Sequence, residues 1–307
     1  MRRINGLFRA FLLICCLSRT VGAQSLTPAM RTVDVAGGGT NILTMGMEKR
    51  MPGDPLVVFQ SGLGSPLETW MPVIQHLSGE FALLAYDRPG IGGSAASPFA
   101  PTMASVSGHL HELLAELGAP PPYILVGHSW GGPLIQYYAG EYAEDIDGLV
   151  FVDPTDWTQD GLVYVDRVSL MDQGFDGMQV DSLVALNDSL ALEFQSQTDE
   201  NVAALPSIAA EWQIVKAVMS TPADERGFPE SLRVPTAILV SGQVQAEPPF
   251  SASLVRAHRS ARLKSFTDVV RDLPRATLVF ATHTGHFIQQ EDPVLVSEAI
   301  RRVALAR

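Results

Sequence analysis

The sequence predicts an α/β fold, in which a mostly parallel β-sheet is covered by helices on both faces. Short apolar runs typical of buried strands alternate along the chain with segments that carry apolar residues at helical spacing. Repeated alternation of this kind gives a parallel sheet with helices on either side. The chain has 307 residues, of which 46% are hydrophobic and only 18% charged, so it can bury a core of this size.

The predicted elements follow one another with one interruption. Residues 31–35 and 40–44 flank a run of three glycines and form a predicted β-hairpin. The other predicted strands are residues 55–60, 81–86, 123–126, 148–152, 235–241 and 276–280. The predicted helices are residues 67–77, 103–117, 133–143, 181–194, 202–218, 254–270 and 294–305.

The interruption lies between the sixth and seventh predicted strands. Residues 154–232 contain several helical stretches but no strong strand, which indicates a helical cap inserted after strand six. The core of the fold would then be formed by residues 24–153 and 233–307.

The N-terminus has the pattern of a secretory signal peptide, residues 1–23. Three arginines precede the apolar run 10–17, and small residues at 21–23 offer a cleavage site. The run is too short to be a stable membrane anchor. Export to the periplasm or the extracellular space is therefore expected. Both cysteines, Cys15 and Cys16, would be removed, which excludes a disulfide and a cysteine nucleophile in the mature chain.

The charge of the chain limits its partners. The formal net charge is −12, and removal of the arginine-containing signal peptide would make the protein more acidic still. An acidic surface is unfavourable for binding to nucleic acid or to anionic membranes. A small-molecule partner is the expectation, and the oligomeric state stays open.

The stretch with the clearest chemistry is Gly-His-Ser-Trp-Gly at residues 127–131. It follows an apolar strand and precedes a helix, so the chain must turn sharply, and small neighbours give the turn room. Ser129 would project from the sheet edge at a helix N-terminus, where backbone N–H groups favour developing negative charge. Ser129 is the predicted nucleophile.

A serine nucleophile needs a base, and the chain has seven histidines. His286 follows the last predicted strand in a loop that returns to the sheet edge carrying Ser129. His283 lies in the same loop, but a metal site made from the two would need further ligands nearby. His286 is the predicted base.

The base needs a carboxylate to fix its tautomer. Candidates must lie between Ser129 and His286, at the end of a strand. Asp153 directly follows the sixth strand and is favoured, whereas the seventh strand is followed by Glu247 only at a distance. The alternatives left open are Glu247, Asp268 and Asp272.

Two backbone donors are expected to bind the oxyanion that forms during acyl transfer. One is the N–H of Trp130, which follows the nucleophile, and the other is the N–H of Leu63 in the glycine-rich turn after the third strand. Asp87 and Arg88, after the fourth strand, are expected to fix a turn rather than to catalyse.

Four motifs in this order resemble those of the α/β-hydrolase superfamily, and the resemblance covers nearly all of the chain after residue 23. They are Ser-Gly-Leu-Gly at 61–64, Tyr-Asp-Arg-Pro-Gly-Ile-Gly-Gly-Ser at 86–94, Gly-His-Ser-Trp-Gly-Gly at 127–132 and Gly-His-Phe-Ile-Gln-Gln-Glu-Asp-Pro at 285–293. The resemblance implies an eight-stranded, mostly parallel sheet with a cap over the site. It also supports the roles expected for Ser129, His286, Leu63 and Trp130.

The chain departs from the superfamily pattern at two positions. Ser61 stands where many members have a histidine, which matters little to a backbone donor. The acid that usually follows the seventh strand is missing, so Asp153 would be a relocated partner of the histidine.

The predicted function is that of a secreted serine hydrolase of the carboxylesterase or lipase type, which forms an acyl-enzyme on Ser129. Neither a cofactor nor a metal is implied. A hydrophobic ester is expected because the cap is rich in apolar residues. These are Val163, Leu170, Met171, Phe175, Met178, Leu183 and Leu186, with Trp157 and Trp212 also within possible reach. The alternatives are a peptidase, amidase or carbon–carbon-bond hydrolase with the same triad, or a ligand-binding protein without turnover.

Overall fold

An eight-stranded β-sheet forms the centre of the protein. The computed structural model describes residues 28–158, 171, 174–203, 205–222, 233–243 and 252–307. The strands are β1 (Ala29–Val35), β2 (Gly38–Met45), β3 (Leu56–Gln60), β4 (Ala82–Tyr86), β5 (Tyr123–His128), β6 (Ile146–Val152), β7 (Thr236–Ser241) and β8 (Ala276–Ala281).

The order of the strands in the sheet is β1-β2-β4-β3-β5-β6-β7-β8. The hairpin of β1 and β2 is antiparallel and joins the sheet antiparallel to β4, whereas every other neighbouring pair is parallel. The parallel strands have their carboxyl ends at one edge, where ligands bind in sheets of this kind. The predicted fold class, an eight-stranded and mostly parallel α/β-hydrolase sheet, is confirmed.

Helices connect the parallel strands. Those in the described part of the chain are α1 (Met71–His76), α2 (Met103–Glu116), α3 (Gly131–Glu141), α4 (Gly177–Val202), α5 (Pro206–Ser220), α6 (Ala252–Asp272), α7 (Ile288–Glu291) and α8 (Pro293–Ala306). The predicted helix 67–77 is divided into a 3-10 helix, Leu67–Trp70, and α1. Pro72 lies in the first turn of α1, where its missing N–H costs no hydrogen bond.

Alternate residues of the central strands enter two separate apolar cores. Leu56 and Val58 of β3 pack with side chains of α2, α3 and α6 on one face of the sheet. Val57 and Phe59 pack with side chains of α1 and α8 on the other. The two-residue period of the strand explains this division, because both faces of the sheet are buried.

The cap is represented by α4 and α5, which lie between β6 and β7 in the chain, and the described residues of this insertion contain no strand. A third apolar cluster joins the cap to the core, since Trp212 of α5 packs there with Trp130 and Leu134. The limits 154 and 232 of the cap stay a prediction, because residues 159–170 and 223–232 lie outside the described part.

Several predicted features fall on residues that are not described. The signal peptide 1–23 lies outside the described residues, as do Val163 and Leu170 of the predicted cap surface, and nothing is described of the side chain of Leu186. Across the residues that are described, no helix combines the length and the apolar character needed to cross a bilayer.

Candidate active site

The connection between β5 and α3 is a sharp turn with Ser129 at its tip. Ser129 has φ 51°, a left-handed conformation that is uncommon for any residue with a Cβ. A Cβ at Gly127 would lie 2.5 Å from the carbonyl oxygen of Gly131, and one at Gly131 would lie 2.3 Å from that of Gln60. Only glycine fits at these two positions, so the turn has the crowded geometry of a nucleophile elbow.

The neighbouring strand ends in a second strained residue. Asp153 follows β6 with φ 40°, and its backbone N–H bonds to Leu239 O at 2.8 Å. The Ser129 N–H bonds to Val152 O at 3.1 Å, and Ser129 O accepts from the Thr155 N–H at 3.0 Å. Two non-glycine residues with positive φ thus lie at the ends of adjacent strands, and such strain commonly marks a functional site.

The His286 ring meets the Asp153 carboxylate. His286 Nδ1 lies 2.7 Å from Asp153 Oδ2, although 133 residues separate the two in the chain. This bond leaves His286 Nε2 as the free ring nitrogen, with the half-exposed ring open to solvent. Within the described residues no hydrogen bond links the ring to Ser129 Oγ, a contact that often forms only when substrate is bound.

Asp153 is buried and has three partners. Its Oδ1 accepts from the Ser241 N–H at 2.8 Å and from Arg262 Nη2 at 3.2 Å, while Oδ2 faces His286. Burial alone would raise the pKa of Asp153, but Arg262 and the hydrogen bonds from His286 and Ser241 outweigh it and hold the pKa well below its ordinary value. Asp153 is therefore a carboxylate throughout the neutral range.

The other acids considered from the sequence are not brought to His286. Asp268 lies on α6 and is paired with Lys264 and Arg271. Asp272 is an exposed residue at the end of the same helix. Glu247 lies outside the described residues.

His128 supports the loop that carries His286. Its Nε2 lies 2.9 Å from His286 O, and a carbonyl can only accept, so Nε2 carries the proton. Burial, with the nearby His286, lowers the pKa of His128 to about 3, so the ring is neutral. The sequence shows only that His128 precedes Ser129, so its bond to the loop that carries His286 was not predicted.

The two expected oxyanion donors make no hydrogen bond in the described part of the protein. Neither the Leu63 N–H nor the Trp130 N–H has an acceptor there. The turn 61–64 lies directly against Ser129, since a Cβ on Gly62 would be 3.2 Å from Ser129 Cβ. Free donors beside the serine are what oxyanion binding requires.

The turn after β4 contributes in two ways. Asp87 fixes local backbone, as expected, by accepting from the N–H groups of Leu67 at 2.7 Å and Gly93 at 2.9 Å. Arg88 reaches further, because its guanidinium bonds to Ser61 O and Gly62 O, each at 2.7 Å. The Asp-Arg-Pro-Gly motif gave the only sequence signal for this contact.

Arg88 is also paired with the cap. It makes a two-pronged ion pair with Glu211 of α5, and both side chains are almost completely buried. Glu211 was not identified from the sequence. A glutamate on a helix reads as a surface residue unless its partner, 123 residues away, is known.

The two cap tryptophans belong to the core rather than to a pocket. Trp157 packs between Phe151 and Phe266, with ring centroids 4.8 and 5.5 Å away. Trp212 is buried and its indole N–H bonds to Asp199. Within the described residues, no group of three or more His, Cys, Asp or Glu side chains is arranged to hold a metal ion.

Comparison with known proteins gives one family. The family model described as alpha/beta hydrolase fold matches residues 55–211, just over half of the chain. An uncharacterized Bacillus subtilis protein, YqjL, is 37% identical over 98 residues, which span 32% of this chain and 39% of that protein.

Solved structures resemble the chain over most of its length. A carboxylesterase, CesB from Bacillus subtilis, superposes with a TM-score of 0.58 at 17% identity, covering 90% of this chain and 91% of that one. A serine hydrolase involved in carbazole degradation gives a TM-score of 0.60 at 17% identity, covering 91% and 100%. At these identities the likeness concerns the fold.

Proposed function

We propose that this chain, which belongs to the α/β-hydrolase fold family, is a secreted serine hydrolase that cleaves carboxylic esters through an acyl-enzyme on Ser129. The observation that carries the proposal is the hydrogen bond between His286 and the buried Asp153, at the sheet edge where the strained Ser129 projects. A nucleophile, a base and an orienting carboxylate at one edge are the parts that acyl transfer needs.

The reaction would proceed in two halves. Ser129 Oγ attacks the ester carbonyl while His286 Nε2 takes the hydroxyl proton, and the N–H groups of Leu63 and Trp130 bind the oxyanion. Asp153, held ionised by Arg262, stabilises the imidazolium. His286 then protonates the leaving alcohol, and a water activated by the same nitrogen releases the acid.

Two solved proteins of similar fold are compatible with this choice of reaction. One is a carboxylesterase and the other a serine hydrolase by their descriptions. We propose that the ester substrate has a hydrophobic acyl group, because the cap is rich in apolar residues. Its described surface includes Met171 and Met178. Export is proposed from the N-terminal pattern of the sequence.

The test is covalent labelling. A fluorophosphonate should add once to the purified protein, and mass spectrometry of the digested adduct should place it on Ser129. Ser129→Ala should fold normally, react with no phosphonate and lose hydrolysis of p-nitrophenyl esters. An unlabelled, folded wild-type protein would overturn the proposal in favour of a ligand-binding member of the family.

A further measurement tests the preference for esters over amides. Comparison of p-nitrophenyl esters with matching anilides should give a much higher kcat/KM for the esters, and the reverse preference would indicate an amidase.

For export, the intact mass of the protein recovered outside the cytoplasm of a bacterial host should correspond to a chain beginning at Gln24. A cell-associated, full-length chain would contradict secretion.

A further inference from the structure

One arginine, Arg88, forms hydrogen bonds to the turn that carries the Leu63 N–H. Arg88 is buried, and its two terminal nitrogens bond to consecutive carbonyls, Nη1 to Ser61 O and Nη2 to Gly62 O, both at 2.7 Å. The planar guanidinium fixes the directions of both donors, which a lysine ammonium would not do. Two successive peptide planes of the turn are thereby held in place.

Together with the Ser65 N–H, which bonds to Gly62 O at 3.2 Å, these bonds from Arg88 determine where the Leu63 N–H points. In a trans peptide the N–H is directed opposite to the carbonyl of the same peptide unit, so the carbonyl of Gly62 and the N–H of Leu63 point in opposite directions. With Gly62 O held by Arg88, the Leu63 N–H points away from the arginine. The next donor in the turn, the Gly64 N–H, faces Glu211 Oε2 at 3.4 Å.

Glu211 links the arginine to the cap. It lies on α5 and bonds to Arg88 through both carboxylate oxygens, one of them at 2.8 Å from Nη2. Both charges are removed from water, so neither can be lost without leaving the other buried and uncompensated. The pair therefore constrains α5 and the turn together.

Steric contacts bring α5 onto the same loops. A Cβ on Gly64, which has φ 62°, would lie 2.9 Å from Ile208 Cδ1. A Cβ on Gly90 would lie 2.0 Å from Ser207 Oγ. Glycine at both positions lets the first turns of α5 rest on the turn 61–64 and on the loop after β4.

From these contacts we infer that Arg88 and Glu211 are positioning residues, which aim the Leu63 N–H at the oxyanion and make α5 a fixed part of the oxyanion hole. This inference rests on the proposed function of the site. The α5 part of the cap does not swing away from the turn during the reaction, because its buried carboxylate would leave Arg88 without a counter-ion.

The test uses the full-length protein with Glu211→Gln, a substitution of the same shape that removes the charge. Its kcat, measured per active site titrated with the fluorophosphonate, should fall about 10- to 100-fold with KM changed less than about threefold. Arg88→Lys should do the same, because lysine keeps the charge but cannot hold two carbonyls.

A transition-state analogue separates positioning from general stability. A trifluoromethyl ketone accepts Ser129 Oγ at its carbonyl carbon while the hydroxyl proton moves to His286, and the resulting oxyanion occupies the oxyanion hole. The inhibition constant should rise in Glu211→Gln by the same factor by which kcat/KM falls. A purely structural role would lower the unfolding temperature and leave both ratios unchanged.

Lys216→Gln is the matched control. Lys216 lies on the same helix and forms an ion pair with Asp199, but this pair is partly exposed, and in the described part of the chain Lys216 makes no hydrogen bond to the turn 61–64. Its kcat and inhibition constant should equal those of the wild type.

The experiments distinguish failure of this inference from failure of the proposed serine hydrolase activity. An active wild type with a Glu211→Gln variant within threefold in kcat would overturn the inference alone, as would a fall in kcat without a weaker inhibitor. If Arg88→Lys does not fold, the isosteric Glu211→Gln still decides. A wild type that does not react with the phosphonate would overturn both.

Discussion

Replacement of Asp153 by asparagine should abolish most of the activity through the tautomer of His286. In the native protein Asp153 Oδ1 faces two donors, the Ser241 N–H at 2.8 Å and Arg262 Nη2 at 3.2 Å. The side-chain oxygen of asparagine must stay on that side, because turning the amide would place its NH2 group against Arg262 and leave the buried Ser241 N–H without an acceptor, at about 1–3 kcal/mol.

The amide nitrogen of the asparagine would then face His286 Nδ1. It can only donate, so Nδ1 becomes the acceptor and the ring proton moves to Nε2. A histidine protonated on Nε2 cannot take the proton of Ser129. A triad in which asparagine replaces the aspartate loses about 10⁴ in kcat, equivalent to about 5.5 kcal/mol of barrier.

The assay is steady-state hydrolysis of a p-nitrophenyl ester, with kcat and KM measured separately. We expect kcat of Asp153→Asn to fall about 10⁴-fold and KM to change little, since Asp153 is buried and acts through His286. Loss of the charge beside Arg262 should cost about 2 kcal/mol, which lowers the unfolding temperature by about 4–8 °C and leaves the protein folded.

Two controls accompany this variant. Asp268→Asn changes an exposed acid of α6 and should leave kcat unchanged. Glu247→Gln tests the other acid that the sequence allows. A near-normal kcat in Asp153→Asn together with a large loss in Glu247→Gln would refute the tautomer argument and move the carboxylate of the triad to Glu247.

Two further predictions concern stability. Gly131→Ala should lower the free energy of unfolding by about 2 kcal/mol or more, because its Cβ would lie 2.3 Å from Gln60 O. Gly108→Ala in α2, where a Cβ would meet no atom within 4 Å, should raise it by about 0.5–1 kcal/mol. Urea titration measures both free energies, and equal effects of the two substitutions would show that Gly131 is not crowded. The lowered pKa of Asp153 contributes stability that is complete above about pH 4, the unfolded value, and is lost as the pH falls through the folded one. The wild type should therefore lose more unfolding free energy than Asp153→Asn between about pH 4 and pH 2, and parallel pH profiles would show that Asp153 is not the source.

Local pattern determined the elements and the position of the candidate nucleophile. The apolar runs of the strands and the glycines around Ser129 act over a few residues, so they can be read without knowledge of the fold. The position of His286 could be predicted because a parallel sheet brings the carboxyl ends of its strands to one edge. Boundaries were less accurate, as the division of the predicted helix 67–77 between Trp70 and Met71 illustrates.

Contacts between distant segments were decided only by the tertiary structure. The sequence left four acids open, and the packing of β6 beside β5 and β7 brings Asp153, rather than Asp268 or Asp272, to His286. The bond from Arg262 to Asp153 spans 109 residues, and the pair of Arg88 and Glu211 spans 123. A charged residue on a helix looks the same in sequence whether it faces solvent or a buried partner. Its partner depends on how the elements pack. A buried charge needs an ion pair or a hydrogen bond from the protein, because the water that would otherwise solvate it is excluded.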